Sequence, residues 1–218
     1  MTRWIRAATA LLALALLAAC QNKQAQLPTR DNFTAAVNDY LAQRGNLCLA
    51  KYDWPIAVTD ADRQARSADA QQMPVLESLG LVSGRDASVA RQGAAGASAS
   101  LASREYALTP AGQKYYLHVP VVVVTPTQHV THPADFCVAR LALDRLFGWE
   151  TPLTINGRTV SSVLFSYRVV DPAPWLATPD ARRAFPLTMR SIANAGTLQL
   201  RLGVHLTPQG WVADELSE

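Results

Sequence analysis

Leu198-Gln199-Leu200-Arg201-Leu202-Gly203-Val204-His205-Leu206 places an aliphatic side chain at every second position, with Gln199, Arg201, Gly203 and His205 between them. Successive side chains of a strand point to opposite faces, so this period of two predicts a β-strand with one buried and one solvated face. Upstream, Val163, Phe165, Tyr167 and Val169 alternate with Leu164, Ser166, Arg168 and Val170. Asn156-Gly157 stands between Leu153-Thr154-Ile155 and that run, and both residues tolerate the positive φ of a tight hairpin. One-sided burial with a hairpin connection is the habit of antiparallel sheets. Residues 119–218 are therefore expected to be mainly antiparallel sheet. Within them Val119–Val124 reads as a buried β-branched run, Pro126 and Pro133 bracket a loop, 136–146 has an extended or mixed pattern ending at Gly148-Trp149, and 172–184 is a connecting helix-turn that contains Trp175.

Residues 31–118 have a different rhythm. Asp31 stands at an N-cap position, and Phe33, Val37, Tyr40 and Leu41 recur at helical spacing before Gly45. Trp54-Pro55 keeps residue 54 out of the helical region. Thr59 or Asp60 is a cap for a second helix reaching about Gln72, and Pro74 suits the first turn of a short helix ending at Leu79-Gly80. Leu81-Val82-Ser83 begins a strand. Residues 93–103 are Ala, Gly and Ser without apolar period, which predicts a mobile loop. Leu108-Thr109-Pro110-Ala111-Gly112 is echoed by Leu206-Thr207-Pro208-Gln209-Gly210, two similar reverse turns rather than a repeat. The expectation for residues 31–218 is an α+β fold in which amino-terminal helices pack with a carboxy-terminal antiparallel sheet.

Ahead of this lies an apolar run from Ala7 to Ala19 preceded by Arg3 and Arg6. It is shorter than the ~20 residues that cross a bilayer core and has the length of a signal-peptide apolar region. Leu17-Ala18-Ala19-Cys20 resembles the lipobox of bacterial lipoproteins. That resemblance implies a signal peptide over 1–19, a lipidated Cys20, a polar tether to Arg30 containing Pro28, and a folded periplasmic domain over 31–218. An ordinary export signal with a chance cysteine, or a short buried helix, is the alternative. Two or three acyl chains, at ~0.8 kcal/mol per buried methylene, hold a protein on a membrane without a spanning helix. Gln21 follows the cysteine where enterobacterial lipoproteins kept in the inner membrane carry Asp, so the resemblance implies the outer membrane.

Export is consistent with the cysteines. Of three in the chain, Cys20 is assigned to lipid, which leaves Cys48 and Cys137 as one possible pair in a compartment that permits disulfides. Their bridge would close a loop of about 90 residues, with a chain-entropy ceiling of roughly 4.5 kcal/mol. Two free buried thiols are the other possibility. The formal charge of +3 includes Arg3 and Arg6, so a processed chain is nearly neutral, and no basic stripe of the kind that neutralises phosphates is present.

Pro74-Val75-Leu76-Glu77-Ser78-Leu79-Gly80-Leu81-Val82, a hairpin-like gap, and Tyr106-Ala107-Leu108-Thr109-Pro110-Ala111-Gly112 together resemble the recognition-helix and wing segment of MarR-type winged helices. The resemblance implies a helix, a turn and a wing. The helix face offers Gln71, Gln72, Glu77 and Ser78, without the Arg and Lys that groove readout uses. The segment is therefore expected to serve protein contact, with no nucleic-acid partner.

Catalytic patterns are weak. The imidazoles are His118, His129, His132 and His205, and none sits in a catalytic signature. Gly96-Ala97-Ser98-Ala99-Ser100 misses the nucleophile elbow at its last position. His129-Val130-Thr131-His132, with Asp135 nearby, is the best metal candidate, set against solvent-exposed histidines of a Pro-bounded loop. Trp54, Trp149, Trp175 and Trp211 suit either a ligand platform or core packing, while Glu77 and 180–183 suit solvated helix faces. The expectation is a non-enzymatic, lipid-anchored envelope protein of protein-interaction or structural role, with no cofactor and with an envelope protein and the membrane as partners. A small-ligand or cell-wall-glycan binder is the alternative, and a hydrolase the third.

Overall fold

The structure, a computed structural model, describes residues 23–92 and 98–216. The expected signal peptide, Cys20 and residues 93–97 of the expected loop lie outside the described residues. In chain order the elements begin with α1 (Arg30–Arg44), β1 (Asn46–Cys48), β2 (Ile56–Thr59), α2 (Asp60–Gln64), α3 (Ala68–Ser78), β3 (Val82–Gln92) and β4 (Ser98–Leu108). Next come α4 (Pro110–Gln113), β5 (Tyr116–Leu117), β6 (Val121–Val124), β7 (His129–His132), β8 (Asp135–Trp149), β9 (Leu153–Ile155) and β10 (Arg158–Val170). After the 3₁₀ turn Pro174–Ala177 follow α5 (Pro179–Ala184), α6 (Pro186–Ala193), β11 (Leu200–Thr207) and β12 (Gly210–Ala213). The fold is α+β. The chain divides into two compact units, one made of residues up to Gly45, Leu141–Val169 and from Asn194 on, the other of Asn46–Arg140 and Val170–Ala193.

The first unit is a helix on an antiparallel sheet. β10 pairs with β11 from Val160↔His205 to Phe165↔Leu200, and β11 pairs with β12 through a turn at Thr207-Pro208-Gln209-Gly210. Asn156 and Gly157 take φ of 51° and 78° and close the β9–β10 hairpin, as the dipeptide predicts. Val163, Phe165, Leu202 and Val204 are buried and meet Phe33, Ala36, Val37 and Leu41 of α1. Burying one such side chain contributes about 1.5–3 kcal/mol, so this seam fixes which face of α1 turns inward. Phe33 packs on Trp149 at 5.1 Å and on Trp211 at 4.8 Å between ring centroids. The helix cap is Thr29, whose hydroxyl accepts the Asn32 N–H; Asp31, expected as the cap, lies in the first turn. The two-residue shift still leaves a carboxylate where the helix dipole favours it.

The second unit has its own core of Leu49, Val58, Met73, Leu76, Leu81, Val82, Tyr106, Phe136, Val138 and Phe185. β2, β4 and β3 form a sheet in that order, and β3–β4 is an unbroken ladder from Val82↔Leu108 to Gln92↔Ser98. The part of the expected loop at 98–103 is therefore strand. Alternation of Ala and Ser carries no apolar signal, but pairing with β3 satisfies its backbone groups. Thr59 caps α2 with a capping box to Asp62, yet that helix stops at Gln64. Arg66 takes a φ of 51° and Ser67 starts α3 afresh. Pro74 lies inside α3 instead of in a first turn; the bond it cannot donate is the one to the Ala70 carbonyl. Gly112 holds α4 against the turn between α3 and β3, since a Cβ there would lie 2.0 Å from the Leu81 carbonyl oxygen. Val122 and Val124 are 53% and 63% exposed, so the valine run expected to be buried is a two-stranded ribbon with β7 whose side chains alternate in burial.

Cys48 stands directly opposite Cys137 in the β1–β8 ladder, and the two are disulfide-bonded across 89 residues of sequence. Replacing both with Ala is expected to lower the unfolding free energy by about 2–4 kcal/mol, because the denatured chain regains the freedom of a long loop. Urea titration of the wild-type and double-Ala chains reads this directly, and coincident curves would contradict it.

Candidate functional site

In the second unit, three segments converge on a cleft of about 370 Å³. Its walls are Cys48-Leu49-Ala50 after β1, the Ala68, Gln71 and Gln72 positions of α3, and the run from Arg183 to Thr188 joining α5 to α6. The first wall is held from behind. Leu49 N–H donates to the Phe136 carbonyl at 2.9 Å, and the Asp135 carboxylate accepts Lys51 N–H at 2.8 Å and Phe136 N–H at 2.6 Å. Ala50 takes a φ of 56° to make this turn. Asp135 is 4% exposed, and burial pushes its carboxyl above the ordinary range against the pull of those N–H groups. Lys51 is equally buried, with its ammonium 2.8 Å from Asp69.

The other two walls are set by helix starts. Ser67 caps α3, Thr178 caps α5 and Pro186 opens α6, where its fixed φ suits the first helical position. Gln72 joins α3 to the end of α5 by donating from Nε2 to the Ala184 carbonyl at 3.1 Å. Its Oε1 is sealed from solvent and takes no hydrogen bond.

The predicted candidates scatter. His129 and His132 lie on strand β7, not in a loop, and a spacing of three along a strand sends them to opposite faces. They do not chelate together, and Asp135 is occupied by backbone N–H groups. His132 instead sets Nδ1 2.9 Å from Asp53 and stacks on Tyr52 at 4.3 Å. Among the described residues no group of three or more His, Cys, Asp or Glu side chains could hold a metal. His118 meets Tyr116 edge-on, and His205 pairs with Asp214 at 2.9 Å, which also takes Arg158 at 3.1 Å.

The four tryptophans do not form one platform. Trp149 and Trp211 pack on Phe33 in the first unit, whereas Trp54 and Trp175 edge the core of the second, with Trp54 on Phe136 and Trp175 on Phe185. Trp149 also lines a first-unit groove of about 280 Å³ with Phe147, Glu150, Ser162, Leu164 and Arg201. The polar groups there hold one another, Arg201 being hydrogen-bonded to both Glu150 and Ser162.

The helix face expected to serve protein contact is engaged within the chain. Gln71 donates to the Arg66 carbonyl, Ser78 to the Val75 carbonyl, and Glu77 accepts Gly84 N–H at 2.9 Å and Arg104 at 2.7 Å. Sequence reasoning missed the pairing of Gln72 with Ala184 and the place of Arg183 on the cleft. The one local signal is Pro186, whose fixed φ suits a first helical position.

No protein-family model, no curated protein and no solved structure matches the chain.

The Arg104 hydrogen bond, with smaller help from Gly84 N–H, holds the Glu77 carboxyl below its ordinary value. A depressed folded-state pKa contributes stability above the unfolded value of about 4.3 and loses it as pH falls through the folded value. Glu77→Gln is therefore expected to flatten the acid limb of a stability-versus-pH profile below about pH 5. An unchanged limb would contradict the assignment.

Proposed function

We propose that this chain is a lipid-anchored protein of the bacterial envelope, carried on Cys20, facing the periplasm from the outer membrane and acting by binding rather than by catalysis. The observation that carries the reading is the Cys48–Cys137 bridge. Together with a lipidated Cys20 it accounts for all three cysteines, and structural disulfides persist in oxidising compartments. Among the described residues no helix is long and apolar enough to cross a membrane, which fits attachment through acyl chains.

A contact role for the winged-helix-like segment draws support from the sheet order β2-β4-β3 and from α3 running into the β3–β4 hairpin. α3 carries Asp69 and Glu77 and no Lys or Arg, a charge pattern suited to protein and not to phosphate. The groove at Trp149 favours a second reading, a small-ligand or glycan binder, because an aromatic face beside paired polar groups suits a sugar ring.

Growth with labelled palmitate tests the anchor. Wild-type chain is expected to carry label and to sediment with membranes, and Cys20→Ala to carry none. An unlabelled wild-type chain that keeps its leader would overturn the reading.

A further inference from the structure

We infer that the first unit stands end-on to the membrane, with the β11–β12 turn and the tip of the β9–β10 hairpin seated in a phospholipid headgroup layer. The proposal names a contact surface and its partner for the anchor given above, and it rests on the lipid at Cys20. An anchor on a long flexible tether leaves a domain free to face any way, so the orientation goes beyond attachment itself.

The leash is short. Only Gln21 and Asn22 separate Cys20 from Lys23, and at ~3.6 Å per residue when fully extended the Lys23 Cα lies at most ~11 Å from that of Cys20. The headgroup layer on one side of the hydrocarbon core takes up about 5–8 Å of this reach. Beyond Lys23 the expected tether is fastened to the fold. Gln26 Nε2 donates to the Pro208 carbonyl at 3.0 Å, and the Trp211 indole donates to the carbonyls of Gln26 and Leu27 at 3.2 and 3.3 Å. Asn32 Nδ2 reaches the carbonyls of Gln24 and Leu27, each at 2.8 Å. Gly210 permits the close approach, since a Cβ there would stand 3.1 Å from the Ala25 carbonyl oxygen. The segment that leaves the lipid is thus pinned to the β11–β12 turn, and the turn comes to the bilayer with it.

Strand register brings a second turn to the same end of the sheet. Leu153 lies opposite Val160 and Val160 opposite His205, so the Asn156-Gly157 tip points the same way as the Pro208-Gln209 turn. β10 and β12 flank β11, which sets the two turns about two strand spacings apart, ~10 Å. Leu153 and Ile155 are two positions apart on β9 and share one face; they are 62% and 55% exposed, and Leu27 in the pinned segment is 45% exposed. In water such side chains contribute nothing to the core, whereas at a membrane they enter the boundary between headgroups and acyl chains. The other large apolar side chain left exposed among the described residues of this unit is Leu198, at the opposite end just ahead of β11. Charge agrees with the placement: Lys23 is exposed, and residues 23–28 and 208–209 include no carboxylate to repel lipid phosphate.

The test uses the full chain, purified from membranes and reconstituted into vesicles of phosphatidylethanolamine and phosphatidylglycerol in which a fraction of the headgroups carries a nitroxide. Gln209→Cys and Gln199→Cys, both at exposed positions, each add one free thiol for a fluorophore, because the native cysteines are held in the bridge or on lipid. The two positions flank β11, ~24 Å of strand, and the Gln209 label is expected to be quenched at least about threefold more than the Gln199 label. Leu153→Ser with Ile155→Ser, at exposed positions, is expected to cut the quenching at Gln209 by about half with palmitate incorporation unchanged. Equal quenching at the two positions, or quenching at Gln209 indifferent to the double variant, in a chain that carries palmitate would overturn the orientation and leave the anchor standing. A chain without palmitate would overturn both.

Discussion

The Cys48–Cys137 bridge is the constraint on which the second unit turns. β1 is only three residues long, and its register to β8 slips between Leu47 and Cys48. So short and irregular a ladder gives the strand end few backbone bonds of its own. The covalent link fixes Cys48 against Cys137, after which Leu49 N–H reaches the Phe136 carbonyl and Lys51 N–H reaches Asp135. The turn at Ala50 is thereby held in a left-handed conformation that an alanine does not choose alone. That turn is one wall of the cleft, so its shape descends directly from the oxidation state of two sulfurs.

Each unit is otherwise organised around phenylalanine. In the first, Phe33 sits between Trp149 and Trp211, and the Trp211 indole donates to the carbonyls of Gln26 and Leu27, tying down the segment that leads into α1. In the second, Phe136 and Phe185 are almost fully buried, and Phe185 both closes the core and lines the cleft. Core and cleft share this residue, which ties the shape of the cleft to packing. Large side chains of this kind leave little freedom for rearrangement in a close-packed interior.

Much of this was legible in the sequence wherever the deciding interaction is local. The alternation through Phe165 and Leu202, the Asn156-Gly157 hairpin, the Thr59 cap and the pairing of Cys48 with Cys137 all follow from residues read within a few positions or from simple cysteine arithmetic. Where a distant partner decides, the local signal failed. Ser98–Ser103 is strand because β3 lies beside it. His129 and His132 are parted because 129–132 pairs with the valine ribbon and takes a strand's period. The cleft was the least legible feature, since it is closed by a glutamine and a carbonyl 112 residues apart, and neither residue type marks a site on its own.

The central claim is that an oxidised Cys48–Cys137 pair shapes the second unit in the compartment where the protein works. Non-reducing proteolysis and mass spectrometry of the chain isolated from its own cells, with free thiols alkylated at lysis, tests this most directly. The account predicts one linked peptide pair containing Cys48 and Cys137 that separates on reduction. Recovery of both cysteines as separately alkylated peptides would contradict it.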